Sequence, residues 1–142
     1  MEVSDVRRRI RAAIETARAR RAERRTRTDE AVRAYDQFLS AIAVPAFQSV
    51  AAALTGEGHR FTVITPAGTV RISPERTAED FIELSLDTDR DRPAVVLRSA
   101  RGRGRRMVAA ERTVREDLPI GELAEEDVVA ALVEEAIPFI ER

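Results

Sequence analysis

The sequence predicts an α+β domain: a long two-part N-terminal helix, a five-stranded antiparallel meander sheet, and a C-terminal helix packed on one face. Three observations predict it. Apolar residues recur every three or four positions through most of residues 4–54, the spacing of a helix face. The period then falls to two over residues 61–114, with turn residues at short intervals; parallel strands would need longer crossovers. From Glu125 the helical period returns. With 142 residues the chain is long enough for one working core.

Val6, Ile10, Ile14 and Ala17 form a narrow stripe on the first helix. The stripe then lapses, and Arg18, Arg20, Arg21, Arg24, Arg25 and Arg27 ring the segment. A helix polar all round projects into solvent or lies against something acidic. Ala and Arg are strong helix formers, so propensity carries the helix forward. Thr26, Thr28 and Asp29 resemble N-cap residues and predict a break or restart near residues 26–29. That point divides the chain into a projecting Arg-rich arm, residues 1–27, and a globular domain, residues 28–142.

Beyond it Val32, Tyr35, Phe38, Leu39, Ile42, Phe47, Val50 and Leu54 mark a core-facing helix. Pro45 is expected to kink or split that helix, and Gly56 and Gly58 to end it. Phe61, Val63 and Thr65, the Pro66-Ala67-Gly68 turn, and Val70 with Ile72 read as a hairpin. A loop over residues 73–79 leads to a half-solvated strand with Ile82, Leu84 and Leu86 on one side. Residues 94–97 form a fourth strand, residues 101–105 a turn, and residues 107–114 a fifth strand. The last helix opens with Glu125, Glu126 and Asp127, where the helix dipole favours acids, and Pro138 should distort its end. Its apolar face, with Val128, Ile137 and Phe139 added to Val129, Leu132, Val133, Ala136 and Ile140, is broader than one sheet contact needs. The helices over residues 29–54 and 125–142 are expected to cover one sheet face and leave the charged face open.

A net charge of −1 conceals strong polarity. Residues 1–28 hold ten Arg against four acids, residues 101–115 six Arg against one acid, and residues 116–142 nine acids against one Arg. Such asymmetry suits an anionic partner or a second copy of the chain. All basic residues of the Lys/Arg pair are Arg, which GC-rich codon usage explains as well as design does. The absence of Cys excludes disulfides, a thiolate nucleophile and Cys-based metal sites. No apolar run is long enough to span a bilayer and no apolar segment follows the first residues as in a signal peptide, so the expected location is a bacterial cytoplasm, with no membrane partner.

The motifs for chemistry are weak. His59 is the only histidine and opens a strand. Asp87, Asp89 and Asp91 imitate the start of a calcium loop, but Arg92 and Arg98 stand where that loop needs Gly and Glu. Glu79, Asp80 and Glu83 are scattered acids with nothing to set two of them across a pocket. The sequence therefore predicts no enzyme, no cofactor and no metal. It predicts instead an interaction module or small assembly subunit: a homo-oligomer, or a chain that docks on an acidic protein surface. Val6, Ile10, Ile14, Arg18, Arg21 and Arg25 are its partner-binding residues. The alternative is sequence-independent nucleic-acid binding, with Arg101, Arg103, Arg105 and Arg106 contacting phosphates alongside the arm. No aromatic side chain accompanies these arginines to stack on bases.

Overall fold

Ala, Arg and Glu dominate the first thirty residues, and the chain answers with an unbroken helix, α1, Val3–Phe38. The computed structural model describes residues 1–77 and 79–141. The break expected at residues 26–29 does not occur. Thr26 instead donates its hydroxyl to the Ala22 carbonyl one turn back, 3.1 Å away, which is how threonine is accommodated inside a helix. Once formed, the helix propagates past a local capping signal because each added residue brings one more hydrogen bond.

The real division lies further on. Leu39–Ala43 is a π-helical turn, after which α2, Val44–Gly56, continues the rod. Pro45 sits in the first turn of α2, where a missing N–H costs little and a fixed φ is helpful. The π turn thus lets the rod pass a proline without breaking. At its far end the Gly58 N–H donates to the Thr55 carbonyl (3.1 Å) and the His59 N–H to the Leu54 carbonyl (2.8 Å). This is a Schellman closure, and Gly58 at φ +95° supplies the left-handed residue it needs.

Five strands follow in spatial order β1-β2-β3-β4-β5, each antiparallel to the last. They are β1 Phe61–Ile64, β2 Val70–Pro74, β3 Phe81–Asp87, β4 Ala94–Arg103 and β5 Arg106–Thr113. The turn expected over residues 101–105 is shorter than predicted. β4 runs on to Arg103, which pairs with Arg106, so only Gly104 and Arg105 form the turn. Gly104 at φ +64° with Arg105 at negative φ is the II′ geometry, whose twist matches that of paired strands. The loop expected over residues 73–79 includes Ala78, and the last helix was expected to reach Arg142; both residues lie outside those described. A short 3₁₀ turn, Ile120–Glu122, leads to α3, Glu125–Ile140, which passes through Pro138.

One face of the sheet carries Val70, Ile72, Ile82, Leu84, Val95 and Leu97, all buried. The helical layer lies against this face: Phe38, Ala43, Ala46, Phe47, Val50 and Ala51 from the rod, and Val128, Ala131, Leu132 and Ala136 from α3. On the other face Arg71 pairs with Glu83 at 2.7 Å and stacks 3.9 Å from the centre of the Phe81 ring. Val96 is buried there too, between the opposed Ser85 and Thr113. Ile64 and Met107, on the same face, stay 51 % and 55 % exposed, so the sheet's second face is open to solvent.

Tyr35 locks rod to sheet. Its hydroxyl donates to the Gly68 carbonyl at the β1–β2 turn, 2.6 Å away. Burial, with Glu83 and Asp36 nearby, pushes the phenol above its ordinary pKa and keeps it a donor. Replacement by Phe is expected to lower the unfolding free energy by about 1 kcal/mol, read as a shift in urea midpoint at unchanged slope. No shift would mean that the turn is held by other contacts.

The stretch of the rod beyond Asp36 is poor in charge. It contains an 18-residue window of mean hydropathy 1.6, which meets the length and composition of a membrane span. This qualifies the expectation that no apolar run is long enough. The same stretch supplies Phe47, Ala46 and Ala43 to the core, and a core helix requires the same composition.

Candidate interaction site

The arm reaches far from the sheet. Every residue from Met1 to Arg27 except Asp5 is exposed, and 25 helical residues extend about 37 Å. At roughly 100° per residue, Val6, Ile10, Ile14, Arg18, Arg21 and Arg25 fall within about 120° of one another. The structure thus brings all six predicted partner-binding residues onto one face of α1. Tyr35 falls in the same arc, so this face looks toward the side on which the sheet lies. Ile10 is 55 % exposed although it is the centre of the apolar stripe.

The arm's charges also find few partners among the described residues. Among the described residues its one ion pair is Arg8 with Asp5 at 3.6 Å. The acids elsewhere divide into two groups. Asp80 is buried and accepts the Gly102 N–H at 2.9 Å. Asp87 accepts the Asp89 N–H and pairs with Arg90, and these contacts hold its pKa below the usual carboxylate range. The calcium-loop imitation is thus a self-bonded turn. Asp127 is lowered first by the Ala124 N–H it accepts at 2.8 Å and next by Arg115. It is one half of a capping box, since Ala124 has no side-chain acceptor to complete the other. Arg115 also grips Asp117, while Arg112 ties β5 to Glu134 of α3. By contrast Glu57, Glu125 and Glu126 are exposed and in no ion pair among the described residues.

The apolar surplus predicted on the last helix takes a definite form. α2 and α3 lie side by side and leave between them a groove of about 310 Å³. Val50, Ala53 and Leu54 line it on one side, and Val129, Val133 and Ile137 on the other. Val133 and Ile137 remain 49 % and 48 % exposed. Contiguous exposed aliphatic surface of this kind marks an interaction site more often than it marks nothing. Glu57 lines the groove as well, and Glu125 and Glu126 precede Val129 by four and three residues, on the same side of α3. The width of the α3 stripe was readable from its residues; that α2 would supply the second wall was not.

The predicted phosphate-contacting residues are placed less coherently. Arg103 opposes Arg106, and Arg101 opposes Val108, so these three arginines share the helix-covered sheet face while Arg105 stands at the turn. Arg101 and Arg103 border a hollow completed by Pro138 and Glu141 at the C-terminal end of α3, where a helix already attracts cations. A larger cleft, about 840 Å³, is elsewhere; it brings His59 and Arg60 together with Glu75, all exposed at its edge. No protein family, curated protein or solved structure matches the chain.

Proposed function

We propose that this chain is a non-catalytic interaction module that self-associates through its N-terminal helix, as a homodimer or as a small subunit of a larger assembly. The observation that supports the reading is the stripe Val6, Ile10 and Ile14, exposed on a helix that contributes nothing to its own core before Tyr35. Some 25 ordered residues with an apolar face and unpaired arginines gain little from standing in water. Laid on an acidic and apolar protein surface, both features are satisfied together. A cytoplasmic setting and a bacterial source fit this reading, which needs no cofactor.

Light scattering of the full chain at about 20 mM and 500 mM salt tests it. The expected mass is that of an oligomer at low salt, with weaker association at high salt where the charge contribution is screened. A monomer under both conditions overturns the proposal. A monomer that binds duplex DNA at low salt, with steep loss on adding salt, would replace it by phosphate binding through the arm and Arg101, Arg103, Arg105 and Arg106.

A further inference from the structure

We infer that the occupant of the α2–α3 groove is the N-terminal arm of a second copy of this chain, exchanged reciprocally across a two-fold axis. The inference rests on the self-association reading and names the surface that completes it.

The groove cannot take its own arm. Ile10 and Ala53 belong to one rod and stand 43 residues apart, about 65 Å along the helix axis. An arm that folded back would have to break α1 in a stretch rich in strong helix formers. The donor of any such stripe is therefore a different molecule.

Chemistry and charge match on both sides. The arm offers Val6, Ile10 and Ile14 in a row, flanked by Arg7, Arg11, Arg18 and Arg21, which form no ion pair among the described residues. The groove offers Val133, Ile137, Leu54 and Val129, bordered by Glu57, Glu125 and Glu126, likewise in no ion pair among the described residues. An apolar helix face laid between two apolar helices is a three-helix packing, and the acids and arginines meet at its margins.

Symmetry supplies an independent check. If Ile10 of one chain lies beside Ala53 of another, a two-fold pair requires the reverse contact as well. The two rods then run antiparallel, and the axis passes midway between those positions, near Val32. Val32 is an aliphatic residue left 39 % exposed on the same arc of α1 as Ile10 and Ile14. A second Val32 across the axis would cover it.

The test uses three full-length proteins: the wild type, the arm variant Ile10→Glu/Ile14→Glu, and the groove variant Val133→Glu, with Ile137→Glu as an alternative groove variant. All four positions are exposed, so far-UV circular dichroism should show each protein folded. The expected masses by light scattering are dimer for the wild type and monomer for each variant. Mixing the arm variant with a groove variant should restore a dimer, because the intact arm of one meets the intact groove of the other. A groove variant that stays dimeric overturns the inference and leaves self-association standing, as arm-to-arm pairing would produce. A mixture that stays monomeric, or a wild type that forms an open series of larger species, overturns the reciprocal exchange. A monomeric wild type overturns both this inference and the function it rests on.

Discussion

Phe47→Ala is expected to lower the unfolding free energy by about 3–5 kcal/mol, the largest loss of any single truncation considered for this chain. The ring is fully buried and sits on α2 in the core shared with α3 and the sheet. Its removal forfeits the transfer free energy of the ring and leaves a cavity that two helices and a sheet cannot all collapse into. Native domains hold only about 5–15 kcal/mol, so the variant should unfold at much lower urea concentration, with a slope near that of the wild type. A loss below about 1 kcal/mol would mean that α2 is not the element that holds the helical layer to the sheet.

Deleting residues 1–27 is expected to have the opposite profile. The shortened chain should stay folded and be monomeric at every salt concentration. All buried residues lie at or beyond Tyr35, so no core contact is lost, and the effect on monomer stability should stay within about 0.5 kcal/mol. Any extra stability of the full chain should grow with protein concentration, because association stabilises the folded state by mass action. Chemical unfolding of both proteins at two concentrations separates the terms. A concentration-independent loss of several kcal/mol on truncation would show that the arm is part of the fold. A truncated chain that remains oligomeric would end the assignment of association to the arm.

The two variants probe parts of one rod that differ only in what lies beside them. α1 up to Arg27 and α2 are both helical, yet one is bare and the other buried. Composition marked this difference well: ten arginines crowd the exposed part, while the charge-poor stretch beyond Asp36 supplies the core. The helix break expected near residues 26–29 was misjudged for a local reason. Thr26 and Asp29 carry the residue types of a cap, and a cap is decided by whether the preceding residues are already helical, which a short window does not register. The hairpin after β4 was misjudged similarly. Arg101, Gly102 and Arg103 look like loop residues, but β5 pairs with them and extends the ladder.

The candidate site divides along the same line. Val6, Ile10, Ile14, Arg18, Arg21 and Arg25 share a face because helical periodicity alone places them there. The groove needed two segments about 80 residues apart to lie parallel enough to leave a trough, and no local pattern encodes that.

By itself the sequence determined the fold class, the order and antiparallel pairing of the strands, the core faces of the helices, and the polarity of charge. These follow from period, propensity and turn chemistry, which act over a few residues. Only the tertiary structure decided that the N-terminal helix is one rod with a π turn at Leu39–Ala43. It also decided which carboxylates are taken up by their own backbone and arginines, and that α2 and α3 leave an aliphatic groove open to solvent. Those outcomes depend on competition between distant groups for the same partners and the same surface, and that competition is resolved only when the chain is folded.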